Sequence, residues 1–260
     1  MNILMTNDDG IDFEWFICFV RAMREMGKTR GHTIYVVAPE GERSGFSHYI
    51  TFIGGPIRLK NREENVWACS GTPADCVMMA SMGALPFTID LVVSGINRGA
   101  NLGTDIVYSG TAAAVRQASL HHIPAVAYSL AGETKPLYWE KAVAYAVEHV
   151  EEFAALWRED IFINVNLPNS PSGAAGWKIA FPSRRLYKSD KVEVFDAPDR
   201  KRYCFMNAGA VETVPEAGSD YDAVSLNLAS VTPVFIHPVA AVDICTSAPR
   251  HAGVGFRPKN

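Results

Sequence analysis

Asp8 and Asp9 stand side by side at the end of a short apolar run in "MNILMTNDDG". Adjacent carboxylates repel, and desolvating them is costly unless a cation lies between them. Two further polar turns follow apolar runs: Ser44-Gly45 in "VVAPEGERSG" and Asn97 in "LVVSGIN". Together they offer two carboxylates, a hydroxyl and an amide oxygen. An all-oxygen set without Cys or His suits a hard divalent cation, Mg²⁺ or Mn²⁺, and not zinc. Each piece also has a plain reading. "NDDG" reads as a solvated turn, "RSG" as a loop, Asn97 as an Asx-turn and Asp75 as a helix cap.

Ser109-Gly110-Thr111 add a second kind of chemistry. They precede "AAAVRQASL", a small-residue helix. A helix N-terminus presents free N–H groups and partial positive charge, which suits a phosphate. An ordinary Ser/Thr cap is the alternative.

The elements that must position these residues are legible as alternating strands and helices. Asn2–Thr6 reads as a buried strand, and Phe13, Phe16, Ile17, Val20 and Met23 recur at helical spacing. Asp12 is the expected N-cap and Gly27 the expected stop. "HTIYVVAP" (His32–Pro39) predicts a second strand, and residues 50–69 a β excursion with turns at Gly54-Gly55 and around Asn61. "GTPADCVMMASMGAL" predicts a helix capped by Thr72, with Pro73 first and Asp75 completing a capping box. "IDLVVSGIN" predicts another buried strand, "PAVAYSL" the next, Leu137–Leu156 a helix and "IFINVNLP" a strand. Strand–helix–strand order predicts a parallel α/β sheet with right-handed crossovers. Ligands of such sheets bind at the carboxyl ends of the strands, which puts the three polar turns on one rim.

From about Phe181 to Phe205 the chain turns charged, alternating and weakly apolar: "RRLYKSDKVEVFDAPDRKRYCF". This predicts a protruding β-hairpin that pairs with another subunit. His237 is weighed as a leaving-group acid, with a structural role the preferred reading.

The 260 residues are 48% hydrophobic and 20% charged, which excludes a largely disordered chain. A formal net charge of −4 supplies no basic field for nucleic acid. The five cysteines, Cys18, Cys69, Cys76, Cys204 and Cys245, lack CxxC spacing and read as free thiols of a reducing compartment. With no secretory signal and no membrane-length apolar run, a cytoplasmic protein is expected.

The segments "NDDG", "VVAPEGERSGFSHYIT", "GTPADCV", "LVVSGINRGANLGTDIVYSGTAAA" and "AVAYSL" resemble, in order, the signatures of the SurE family of metal-dependent nucleotidases. The resemblance covers about residues 1–130 closely and "INVNLP" and "GSDYDAVSLNLASVTP" more loosely. It implies a Rossmann-like three-layer core with a C-terminal extension used in oligomerisation. Residues 1–130 would form the metal- and phosphate-binding core. Residues 131–260 would complete it and carry the arm. It implies hydrolysis of nucleoside 5′- and 3′-monophosphates, with short polyphosphate as a further substrate, by a homodimer or homotetramer. Carried over, Asp8, Asp9, Ser44 and Asn97 hold one Mg²⁺ or Mn²⁺ per subunit. Asp8 and Asp9 are then the catalytic pair, and Gly45, Asn101, Ser109, Gly110 and Thr111 face the phosphate. The chain departs from the family pattern at "IDFEWF" after the first motif, and at Phe46 and His48-Tyr49 after the second. These departures bear on substrate size and base preference.

Two rivals stand beside this reading. A dinucleotide-dependent oxidoreductase would need GxGxxG after the first strand, where this chain has carboxylates. A non-catalytic metal and nucleotide sensor would keep the same ligands.

Overall fold

The structure is a computed structural model, and it describes residues 1–132 and 134–238. Cys245 lies outside the described residues; Cys18, Cys69, Cys76 and Cys204 are free thiols.

The first strand, β1 (Asn2–Thr6), leads into α1 (Glu14–Arg30) and β2 (Thr33–Pro39). A short hairpin of β3 (Leu59–Glu63) and β4 (Val66–Cys69) follows, then α2 (Pro73–Ser81) and β5 (Leu91–Arg98). After a 3₁₀ turn at Gly103–Val107 come α3 (Gly110–Leu120), β6 (Ala125–Ala131), α4 (Trp139–Ala154) and β7 (Ile161–Pro168). The remainder is β8 (Trp177–Ile179), β9 (Arg185–Leu186), β10 (Lys191–Asp196), β11 (Arg202–Asn207), β12 (Glu212–Thr213), α5 (Asp220–Ser225) and β13 (Ala229–Phe235).

The fold is α/β. One nine-stranded mixed sheet has the order β3-β4-β2-β1-β5-β6-β7-β13-β8. Strands β4, β2, β1, β5, β6 and β7 run parallel; β3 and β13 run antiparallel to their neighbours β4 and β7. Helices α1 and α4 bury Phe16, Phe19, Met23, Val150 and Phe153 on one face. Helices α2 and α3 bury Cys76, Val77, Ala114 and Val115 on the other. Residues beyond 131 contribute α4, β7, β13 and β8 to this same layered unit, so the sheet runs through both halves of the chain. Among the described residues no helix is long and apolar enough to cross a membrane.

Several boundaries differ from the expectation. Asp12 does not cap α1; the N-cap position is Phe13, without a side-chain bond, and Asp12 instead pairs with Arg62 at 2.9 Å. Gly27 does not stop α1, which runs on to a left-handed Gly31. A Cβ on Gly27 would come within 2.8 Å of the His32 carbonyl, so close packing explains that glycine. Ile17 is 43% exposed, and the buried stripe is completed by Phe19 and Met26. Asn61 lies within β3; the chain reverses at Glu64-Asn65, with Asn65 at φ 60°. The capping box of α2 forms as read, with Asp75 N–H donating to Thr72 Oγ1 at 3.3 Å and Thr72 N–H to Asp75 Oδ2 at 2.8 Å.

The arm is a hairpin, β10 paired antiparallel to β11, standing outside the main sheet. It reaches further than Phe205: β12 returns to pair with β9 and closes its root.

Candidate active site

The sheet order reverses between β1 and β5, since β2 leaves β1 on one side and β5 adjoins it on the other. Such a switch point opens a crevice at the carboxyl ends of the strands. Asp8 and Asp9 follow β1 there, and Asn97 stands near the end of β5. The loop after β2 is brought to the same place by Arg43 N–H donating to the Asp8 carbonyl at 2.7 Å. Gly10 makes this approach possible: it sits at φ 103°, and a Cβ there would come within 3.0 Å of the Gly41 backbone.

A cavity of about 270 Å³ opens at this crevice, lined by Asp8, Ser44, Gly45, Asn97, Asn101 and Ser109, together with Arg98, Asp105, Tyr108 and Tyr187. Asp9 is not on that wall, and its Oδ2 is buried with no hydrogen-bond partner. Gly110 and Thr111 lie behind Asp8 and not on the cavity wall. The Thr111 hydroxyl donates to Asp8 Oδ1. A Cβ on Gly110 would stand 2.9 Å from the Asp8 Cβ, so only glycine lets α3 approach so closely. Ser109 Oγ accepts from Ala112 N–H at 3.0 Å, so this serine caps α3 and faces the cavity at once.

Burial pushes the Asp8 carboxyl above its ordinary value, against the Thr111 hydroxyl and the N–H groups of Thr111 and Gly110, which favour the anion. The N-terminus of α3 therefore addresses Asp8 directly. Asp9 is pushed up to about 7, first by burial, then by the charges of Asp8 and Glu42. Arg98 pulls the Asp9 value down, but burial and the neighbouring carboxylates outweigh it.

Asn101 is held by its backbone. Its carbonyl accepts from Asn164 Nδ2 at 2.8 Å and Asn166 Nδ2 at 3.1 Å, and its N–H donates to Asn166 Oδ1 at 2.8 Å. Its Nδ2 gives one hydrogen to Ser129 Oγ at 2.7 Å and keeps a second. Asn97 Nδ2 donates to the Gly99 carbonyl at 2.9 Å, which leaves its amide oxygen as an acceptor.

Among the described residues no three His, Cys, Asp or Glu side chains gather as a metal site. The expected set contains only two such residues, completed by neutral oxygens. These residues fit a hard cation. Asp8 is buried and Asp9 beside it half-buried, both with raised proton affinity, and among the described residues Asp9 Oδ2 and Asn7 Oδ1 have no hydrogen-bond partner.

Sequence reasoning missed four of the lining residues. Arg98 follows Asn97 directly and carried that signal. Asp105 and Tyr108 lie inside a motif already singled out. Tyr187 arrives from the arm root, 82 residues from Asp105, and no local pattern announces it. His237 lies on the opposite rim, because β13 runs antiparallel to β7 and its last residue pairs with Ile161, the first of β7. Of the bulky departures, Phe46 and Tyr49 are exposed, and His48 is tied to Gln117 Oε1 at 2.8 Å.

Paired carboxylates and a helix N-terminus at the switch point of a Rossmann-like sheet define a class: α/β enzymes that act on phosphate esters, without the glycine fingerprint of a dinucleotide oxidoreductase. A family model described as "Survival protein SurE" matches residues 3–189. The chain is 38% identical over 242 residues to the 5′-nucleotidase SurE of Thermosipho melanesiensis, covering 91% of this chain and 92% of that protein. It is 40% identical over 245 residues to the 5′-nucleotidase SurE of Acinetobacter baumannii strain SDF, covering 90% and 93%. The crystal structure of the SurE protein from Aquifex aeolicus superposes with a TM-score of 0.77 at 31% identity, covering 95% of this chain and 98% of that one. The chain belongs to the SurE family of 5′-nucleotidases. It is thus a hydrolase of the nucleotide phosphoesterase type.

Proposed function

We infer that this chain hydrolyses nucleoside 5′- and 3′-monophosphates to nucleoside and phosphate, with short polyphosphate as a further substrate. The observation that carries the reading is the adjacent pair Asp8-Asp9, both with raised proton affinity and one with an unpartnered buried oxygen. Asp8, Asp9, Ser44 and Asn97 are the residues that would hold Mg²⁺ or Mn²⁺. When bound, the cation supplies Lewis-acid polarisation of the phosphoryl group and lowers the pKa of an attacking water.

The chain's own groups do the rest. Thr111 fixes the Asp8 carboxylate through its hydroxyl, and the N-terminus of α3 favours its anion. Asp9 lies off the cavity wall, and its unpartnered oxygen is the one it would offer to the cation. Ser109, Gly45 N–H and the remaining Nδ2 hydrogen of Asn101 face the phosphoryl oxygens, and Gly110 and Thr111 back them. Donors placed in advance stabilise charge that develops in the transition state.

The reading extends to a cytoplasmic homodimer or homotetramer, supported by free thiols and by an arm with exposed apolar side chains. Residues 1–130 carry the metal and phosphate groups, and residues 131–260 complete the sheet and carry the arm. Phosphate release from AMP and GMP, with and without Mn²⁺, is the test. Metal-dependent release is expected. Binding of AMP without release would establish the sensor instead.

A further inference from the structure

Tyr108 lines the same cavity as Asp8 and Ser109, yet its side chain is 56% exposed. Its backbone is fixed on both sides. Its N–H donates to the Asp105 carbonyl at 3.0 Å, and its carbonyl accepts from Ser47 N–H at 3.1 Å. Its ring meets that of Tyr187 edge to face, with centroids 6.0 Å apart and planes at 87°. Tyr187 is itself anchored, because its hydroxyl donates to Asp105 Oδ1. Arg185 Nε donates to Asp105 Oδ2 at 3.0 Å and keeps that carboxylate paired. An aromatic wall is thus clamped upright beside the phosphate-facing groups, with much of the Tyr108 ring left open.

The cavity holds about 270 Å³. That lies at or below the roughly 300 Å³ where pockets for whole small-molecule ligands begin. A cavity of this size has room for a phosphoryl group and its sugar, so the base of a bound nucleotide would lie across the mouth. Aromatic rings stack on any base, since every base has a π-face, and they do so without hydrogen-bond readout. Packing on Tyr187 leaves more than half of Tyr108 exposed beside the cavity. We propose that Tyr108, braced by Tyr187, is the stacking platform for the nucleobase of a nucleoside monophosphate, and that it accepts purines and pyrimidines alike. This rests on the nucleotidase reading given above.

The test compares kcat/KM for AMP, CMP and ribose 5-phosphate, which lacks a base, in the presence of Mn²⁺. Where ribose 5-phosphate turns over slowly, its inhibition constant against AMP replaces kcat/KM. Tyr108→Ala is expected to lower the preference for AMP and for CMP over ribose 5-phosphate about tenfold or more, through KM. Tyr108→Phe keeps the ring and is expected to keep the preference. Should Tyr108→Ala fail to fold by circular dichroism, Tyr108→Leu, apolar but not aromatic, carries the same comparison. An unchanged preference, or a loss shared equally by all three compounds, overturns the proposal. A wild-type protein that releases phosphate from neither nucleotide overturns the nucleotidase reading itself, and this one with it. A wild-type enzyme that cleaves AMP but prefers ribose 5-phosphate overturns this proposal alone.

Discussion

At the scale of the residue, the proposed function rests on Asp8, which is buried, and Asp9, which is half-buried beside it. Asp9→Asn is expected to reduce phosphate release by roughly 10²-fold or more while leaving the circular dichroism spectrum intact; near wild-type turnover at saturating Mn²⁺ would refute the role. Chelation should abolish release, and Mg²⁺ or Mn²⁺ should restore it better than Ca²⁺, whose longer bonds and higher coordination suit a looser site. A pH dependence follows from the same pair. In the metal-free protein Asp9 keeps its proton up to about 7, whereas its ordinary value is 3.8. Between those values the unfolded chain binds fewer protons than the folded one, so stability falls as pH rises and levels off above about 7. Thermal melts of the chelated protein from pH 4 to 8 should show this decline, and Asp9→Asn should make it shallower, leaving the part due to Asp8, whose value is also raised.

At the scale of the element, α3 brings its first turn to the site, and α2 anchors a loop that leads away from it. The first turn of α3 packs on the end of β1 so closely that a methyl group at Gly110 would press on Asp8. Gly110→Ala should therefore shift the carboxylate and cost on the order of 10²-fold in kcat/KM, because small misplacements of reacting groups are expensive, and should lower the melting temperature through overpacking worth about 1–3 kcal/mol. The N-terminus of α2 does a different job. The fully buried Asp75 accepts from Thr72 N–H at 2.8 Å, Thr51 N–H at 3.1 Å and Thr51 Oγ1 at 2.8 Å. It fastens Thr51, in the segment after Ser44, to the first turn of α2. Asp75→Ala removes a cap and strands those donors, and should cost about 2 kcal/mol or more in chemical denaturation.

At the scale of the whole molecule, the arm has apolar side chains that no described residue of its own chain covers. Val192, Val194 and Met206 point to one side of the hairpin, and Phe195, Tyr203 and Phe205 to the other; all six are about half exposed or more. A lone two-stranded hairpin is marginal in water. A second copy of the chain is the partner that would cover it. Deleting residues 191–207 while keeping the root at Arg185 and Tyr187 should lower the mass measured by light scattering. An unchanged mass would show that assembly runs through another surface.

The sequence by itself determined the alternation of strands and helices, the capping box of α2, and the presence of acidic, hydroxyl and amide groups at strand ends. These are local matters of period, turn chemistry and caps, and they are written within a few residues. Its failures were local too: Asp12 looked like a cap and Gly27 like a stop, because neither Arg62 nor the carbonyl of His32 is visible from within α1. Tertiary structure alone decided that Thr111 and Gly110 stand behind Asp8, since that contact joins β1 to a helix 103 residues away. It also decided that the root of the arm forms part of the cavity wall. Asp105 meets Arg185 and Tyr187 only because the sheet order brings the loop before α3 and the strands after β7 to the same end of the molecule. Burial did the same for charge: two carboxylates in a sequence are two negative charges, and only the tertiary structure, by burying Asp8 and half-burying Asp9, raises the proton affinity of both.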